Sequence, residues 1–283
     1  MASALSAPHF HDEKAAFAYV EARVWPEGPT CPHCGGVERI SKMQGKSTRE
    51  GLYKCYQCRK PFTVRMGTIF ESSHVPLHIW LQAMYLIAGS KKGISSNQLH
   101  RTLGVTLKTA WFMAHRIREA MRPDSFLPMG GDGGVVVLSL IHRESGASRS
   151  FVIERANRET IIPIVKQNID RETYVLTDSA SLYRGQLRDH FLGHGRVNHM
   201  GGEYARGRIH TNTVEGFYSI FKRGMRGVYQ WCAEKHLHRY VAEFDFRYSN
   251  RIALGCNDED RANRLLSGIV GKRLTYQTTC ARA

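Results

Sequence analysis

Long hydrophobic runs are missing from this chain of 283 residues. Its most apolar stretch, VVVLSLI at 135–141, falls far short of the ~20 residues that a membrane-spanning helix needs. The first residues, MASALSAPHFHDEKAAF, lack a basic patch followed by a continuous apolar segment, so no secretory leader is expected. Acidic residues are scarce as well. Against 40 Lys and Arg stand 25 Asp and Glu, a formal net charge of +15. Such an excess favours a polyanionic partner, either nucleic acid or an acidic membrane surface. Cysteine is too uneven for a disulfide framework: there are seven, and four of them fall into two tight pairs. That usage fits a reducing, cytoplasmic protein whose paired cysteines bind metal, and it leaves membrane binding the weaker class. Apolar content is ordinary at 42%, which excludes a mostly disordered chain.

The two cysteine pairs are Cys31-Pro-His-Cys34 and Cys55-Tyr-Gln-Cys58. Thiolates two residues apart on a tight turn bind one ion together, and two such turns supply the four ligands of a tetrahedral zinc site. The spacing predicts a structural zinc ribbon. A redox dithiol would need one pair, and the second leaves that reading poor. His33 lies inside the first knuckle as a neighbour rather than a ligand. Lys42, Lys46, Arg49, Lys54, Arg59, Lys60 and Arg65 give the module basic loops suited to phosphate contacts that position a duplex without reading it.

Helical periodicity marks residues 10–24, then 76–88 with Pro76 in the first turn, then a pair across 95–121. In that pair Ser95 and Thr106 are placed to cap, Gly104 sits at the turn, and Leu99, Leu103, Ala110, Met113, Ala114 and Ile117 fall on inward faces. Helix, Gly turn, helix is the pattern of a helix-turn-helix module. Thr106, Lys108 and Thr109 would then meet DNA at the start of the second helix, with Arg116 and Arg118 further along. Beyond Gly130 the pattern changes to strands at 135–141 and 148–154, a helix at 158–168 and a strand at 173–178. A helix at 181–191, a short strand near 196–199 and helices at 213–222, 233–248 and 259–268 follow. Alternating strands and helices indicate an α/β domain.

Asp178 closes the strand YVLTD, a common place for an α/β domain to hold a metal. In IHTNTVEGFYSIFKRG, Asn212, Glu215 and Lys222 lie three and seven residues apart and can share a helix face. A carboxylate near a metal with a lysine two turns away suits a phosphodiester substrate. Between Tyr204 and Arg251 there are nine Lys or Arg and four acidic residues, an excess that draws DNA to the same region.

The motifs CPHCGG, YKCYQCRKPFTVRMGTIFESSHVPLHIW, VLTDSASLY, VNHMGGEYARGRIHTNTVEGFYSIFKRGMRGVYQ and HLHRYVAEFDFRYSNR occur in this order. Over roughly residues 15–255 the sequence resembles bacterial insertion-sequence transposases with an N-terminal zinc ribbon and an RNase H-like DDE domain. The resemblance implies a metal-binding triad of two aspartates and a Glu or Asn, with two divalent ions, normally Mg²⁺. Its second aspartate falls on Asp178, its third acidic residue on Glu215 and its lysine on Lys222; Asn212 and His210 belong to the same motif. The first aspartate of that family lies on the first strand of the catalytic domain. Here Met129 runs into GGDGGVVVLSLIHRESG, which already reads as the second strand, so the first strand is expected to be missing. Asp132, set among glycines, is a poor replacement because its geometry would be loosely fixed.

The expected organisation is an N-terminal helix (1–29), a zinc ribbon (30–66), a helical DNA-binding region (67–123), an RNase H-like α/β domain (130–255) and a C-terminal tail (256–283). The expected function is metal-dependent DNA strand cleavage and strand transfer at transposon ends, in a bacterial protein associated with the nucleoid. Double-stranded DNA and further copies of the chain are the expected partners, with structural Zn²⁺ and catalytic Mg²⁺. The missing aspartate keeps a second expectation open, a DNA-binding protein of transposase descent without catalysis. A zinc-stabilised transcription factor is weaker because it leaves Asp178, Glu215 and Lys222 without a task.

Overall fold

The computed structural model describes residues 3–45, 47–122, 136–183, 185–272 and 274, with the backbone alone at Met200. The chain divides into two units, Met1–Pro123 with Asn250–Ala283, and Asp124–Ser249. No helix among the described residues is long and apolar enough to cross a membrane.

In the first unit, helix α1 (Glu13–Val24) starts at Asp12, whose carboxylate accepts from the Ala15 N–H at 2.7 Å, and buries Ala16, Phe17 and Val20. A small antiparallel sheet follows, β1 (Ile40–Lys42), β2 (Tyr53–Cys55) and β3 (Pro61–Phe62), in that spatial order. Its core is Cys31, Cys55 and Phe62, closed by Trp25, Ile40 and Tyr53. Such a module is too small to be held by apolar burial alone, which is why its sulfur atoms matter.

Helix α2 (Leu77–Gly89) carries no charged residue in its end turns and buries seven side chains, among them Trp80 and Ile87. Its N-terminus is capped from α1. The Glu13 carboxylate accepts from the N–H groups of Leu77 (2.8 Å) and His78 (3.2 Å) and pairs with the His78 ring at 2.8 Å. Pro76 is the residue before the helix, one position earlier than expected.

Helices α3 (Ser96–Leu103) and α4 (Leu107–Ala120) form the expected pair. The hydroxyls of Ser95 and Thr106 cap them, and Gly104 takes the left-handed conformation (φ +67°) that stops α3. All six expected inward residues are buried.

The second unit opens with a hairpin, β4 (Val136–Ile141) against β5 (Ser148–Ile153), in a register that sets Leu138 opposite Phe151 and Ser139 opposite Ser150. Helix α5 (Arg158–Asn168) leads to β6 (Tyr174–Asp178). The helix expected over 181–191 is instead a single 3-10 turn, Ser181–Tyr183, followed by irregular turns in which Gly185 adopts φ +80°. The strand expected near 196–199 is β7 (Gly193–Val197), parallel to β6. A two-residue ladder, β8 (Ala205–Arg206) with β9 (Ile209–His210), precedes α6 (Asn212–Gly224), a π-helical turn at Met225–Tyr229 and α7 (Glu234–Ser249). Helix α8 (Asp258–Ser267) returns to the first unit, where it packs on α2 and places Arg261 against the Ala88 carbonyl at 3.0 Å. The helix expected over 259–268 is thus present within the C-terminal segment, and it is packed.

The described strands of the second unit form two separate pairs. Among the described residues β4 pairs with β5 and β6 with β7, and no strand joins the two pairs. Side chains bridge them instead, in one core of Ile153, Ile161, Ile162, Val165, Val175 and Phe191 on which Leu138 and Leu140 also pack.

Candidate metal centres and nucleic-acid surface

The ligand atoms of Cys31, Cys34, Cys55 and Cys58 lie within 4.8 Å of one another, with Cys31–Cys58 and Cys34–Cys55 Sγ separations of 3.7 Å. Sulfur atoms about 2.3 Å from a tetrahedral zinc are about 3.8 Å apart, so the four thiols fit that ion. Both knuckles close alike. The Cys31 N–H donates to the Gly36 carbonyl and the Cys55 N–H to the Lys60 carbonyl, each at 3.0 Å. The residue after each second cysteine is left-handed, Gly35 at φ +73° and Arg59 at φ +62°. Backbone N–H groups of Cys58 and Gln57 aimed at the Cys55 sulfur favour its thiolate, the form that zinc requires. His33 stands apart, its ring against the Pro61 carbonyl.

Asp178, Glu215 and Lys222 are exposed side chains of the second unit. Asp178 is the last residue of β6 and pairs with Val197, the last of β7; its Oδ1 accepts from the Ala180 N–H at 3.1 Å. Because β6 and β7 are parallel, the chain leaves both at one edge, the usual position of ligand sites in open α/β sheets. Asn198 follows β7 there, and its side-chain oxygen accepts from the Ser179 hydroxyl (3.3 Å) and the Gly201 N–H (3.2 Å), joining the two loops. Tyr183 stands near Asp178, and its phenol is pushed up to about 12 by burial and by that carboxylate.

Glu215 lies in the first turn of α6. Its Oε1 accepts from the Thr211 hydroxyl at 2.5 Å and lies 3.2 Å from the His199 Nε2, which itself is 2.8 Å from the Thr211 hydroxyl. Two residues from two successive segments thus hold one carboxylate oxygen. His199 and Thr211 were absent from the sequence-based set, although the first lies in the quoted VNHMGG stretch and the second precedes Asn212. Ladder strand β9, just before α6, packs against β6 and β7, with Ile209 over Gly195; a Cβ on that glycine would lie 3.1 Å from the Ile209 side chain. Asn212 opens α6 and is exposed, and His210 is half-buried in β9. Among the described residues the sulfur cluster alone gathers three or more ligand groups, so Asp178 and Glu215 do not converge with a third. Asp132 lies outside the described residues. Along β6 and β7 a cleft of about 390 Å³ is lined by Tyr174, Ser179, His194, Arg196, Asn198 and Arg206, and its two arginines give it positive charge.

Several cations assigned to DNA from the sequence have other partners. Arg116 and Arg118 are buried, and Arg116 Nη1 donates to the carbonyls of Ile69 and Glu71 at 2.6 Å. Both face the core of the helical region because α4 turns that side inward. Arg65 donates to the Ser73 and Val75 carbonyls, and Lys42 pairs with Glu21 and Glu50. Lys46 lies outside the described residues. Arg49, Arg59, Lys60 and Lys108 remain exposed.

Comparison with known proteins agrees with this architecture. Residues 105–249 match a family model described as an ISXO2-like transposase domain, and residues 11–61 match a transposase zinc-ribbon domain. A protein of Halobacterium salinarum, described as an uncharacterized protein in transposable element ISH50, is 26% identical over 275 positions, covering 83% of this chain and 90% of the relative. The aligned length exceeds the share of this chain it contains, so several tens of positions are filled by the relative alone. No solved structure matches the chain significantly.

Proposed function

Since the chain belongs to the family of ISXO2-like transposases, we propose that it cuts and joins DNA at the ends of a mobile element. In this reading Asp178 and Glu215 hold divalent metal, normally Mg²⁺, and Lys222 holds DNA beside them. The observation that carries it is the placement of Asp178 at the C-terminal end of β6, with His199 leaving the same end of the paired strand to hold Glu215. Carboxylate oxygens are the donors that Mg²⁺ takes. Divalent ions held by these carboxylates would supply activation of an attacking hydroxyl and charge stabilisation at the leaving oxygen. The chain's own residues set the geometry. Thr211 and His199 fix Oε1 of Glu215, and the α6 backbone sets Lys222 two turns further along the same helix. Arg196 and Arg206 offer positive charge to a phosphate in the cleft along β6 and β7.

The remaining parts of the chain serve DNA in this proposal. The zinc ribbon (30–66) and the helical region (67–123) bind the duplex, with Thr106, Lys108 and Thr109 at the start of α4 meeting phosphates or base edges. The RNase H-like domain (130–255) carries the chemistry. Two ends must be held together for joining, so the working form is a homo-oligomer on DNA in the bacterial nucleoid.

A second reading is a DNA-binding protein that does not cut. It is supported by the strand pairing, in which no strand among the described residues joins β4 to β6, and by the expected loss of the strand that carries the first aspartate in the family resembled. The several tens of positions present in the relative and absent here point the same way. One experiment separates the two: Mg²⁺- or Mn²⁺-dependent cleavage of a duplex carrying the element's end, beside Asp178→Ala and Glu215→Ala. Cleavage by the parent and loss in both variants supports the enzyme. Binding without cleavage overturns it and leaves the binder.

A further inference from the structure

Three of the four tryptophans are engaged within the fold. Trp80 is fully buried, Trp25 meets Tyr53 and Phe62 edge-on, and Trp111 lies over His115. Trp231 is different. It is 79% exposed, and no other ring among the described residues meets it.

The backbone explains how it is held out. After the π-helical turn Met225–Tyr229, Gln230 takes φ +59° and ψ −46°, and the Trp231 N–H donates to the Tyr229 carbonyl at 2.6 Å. This is the rare, strained three-residue γ-turn, at a residue that is not glycine. On its inner side Tyr229 is anchored. Its hydroxyl donates to the buried Glu243 at 2.5 Å and its ring meets Tyr240 edge-on at 4.7 Å. The chain therefore reverses with one aromatic drawn in and the next but one pushed out. A strained residue and an unburied indole both cost stability, and neither serves the packing of α6 or α7.

The surroundings say what such a ring meets. Lys222, Arg223, Arg226 and Lys235 are exposed on the segments to either side, and Glu234 is the one acidic residue between positions 216 and 236. A flat apolar ring on a segment flanked in sequence by exposed cations complements a ligand that is aromatic within and anionic along its backbone. A lipid surface would call for a broader apolar face, whereas Val228, Cys232 and Ala233 on either side are half-buried.

We propose that Trp231 stacks on an unpaired base of bound DNA while the flanking cations hold its phosphates. This rests on the DNA reading above, in which Lys222 already holds DNA, and adds an aromatic contact that the carboxylate site does not include. It makes the protein selective for DNA with an opened or frayed base pair, as arises where a strand end is exposed.

The test uses the full zinc-loaded chain and three ligands: a continuous duplex, the same duplex with two unpaired nucleotides, and that duplex with 2-aminopurine at an unpaired position. The parent is expected to prefer the unpaired form and to quench the 2-aminopurine. Trp231→Ala should bind the unpaired form about 10- to 100-fold more weakly, as loss of one stacked base implies, and leave the emission unquenched. Trp231→Phe should retain most of both signals, and all three proteins should bind the continuous duplex alike. Equal affinity of parent and Trp231→Ala for the unpaired form overturns the proposal. So does a Trp231→Ala variant that loses self-association in sedimentation while still quenching, which would place the indole between two copies of the chain. If the parent binds none of the ligands, the DNA reading itself fails and this one with it. A parent that binds all three without preference refutes the stacking alone.

Discussion

The carboxylate of Asp245, on α7, accepts from both the backbone N–H (2.7 Å) and the hydroxyl (2.8 Å) of Ser150, the residue of β5 that faces Ser139. Burial pushes this carboxyl up to about 6 from its ordinary 3.8, against the opposing effect of the two Ser150 bonds. A carboxyl whose folded value is raised favours folding below its unfolded value, and that contribution is lost as pH rises through the folded one. The second unit should therefore gain on the order of 2–3 kcal/mol from this group as pH falls from about 7 to about 4. Asp245→Asn should flatten that part of the profile, which denaturant unfolding at a series of pH values would reveal.

Zinc removal should unfold the ribbon and spare the helices beyond it. With a chelator, or in Cys55→Ser, the sheet β1–β3 loses the ion its four sulfur atoms surround and keeps a core of a few apolar side chains. Metal analysis and limited proteolysis should show loss of zinc together with new cleavage between Thr30 and Val64.

Glu13→Ala removes a cap that α1 lends to α2. Three donors lose their acceptor, the N–H groups of Leu77 and His78 and the His78 ring. The expected cost is about 1–2 kcal/mol, read as a lowered thermal midpoint.

Arg116→Met and Lys108→Ala separate structural from DNA-directed charge on one helix. Arg116 holds the carbonyls of Ile69 and Glu71 inside the unit, and its loss should cost about 2–4 kcal/mol of stability. Lys108 is exposed, and its loss should leave stability unchanged. It should reduce the salt dependence of duplex binding by about one counterion.

Thr211→Val keeps the volume near Glu215 and removes the hydroxyl that donates to its Oε1. Metal-dependent cleavage should fall about 10- to 100-fold, with the metal concentration for half-activity raised and the fold intact by circular dichroism.

Much of this structure was legible because local rules decide it. The cysteine spacing implied four converging sulfurs, and Ser95, Gly104 and Thr106 marked the ends of α3 and α4 through capping and a left-handed turn. Residues 181–191 misled because their apolar spacing is helical while Gly185 takes a conformation no helix contains. Arg116 and Arg118 misled for a different reason. Composition counts a cation as available to phosphate, and only packing shows that both are buried and that Arg116 already serves carbonyls. His199 could not be tied to Glu215 from spacing, since 16 residues and a ladder of two short strands separate them before β9 brings them together.

The division between β4–β5 and β6–β7 also bears on how the second unit comes apart. A continuous sheet couples its strands through a shared ladder of backbone bonds, so they exchange amide protons together. Among the described residues each ladder has one partner strand, and the pairs meet through a shared side-chain core. The β4–β5 hairpin, braced by Asp245 of α7, should act as one cooperative block and the β6–β7 pair as another of lower protection. Hydrogen exchange followed by mass spectrometry would then show two opening events in this unit, with the Asp178 edge opening first.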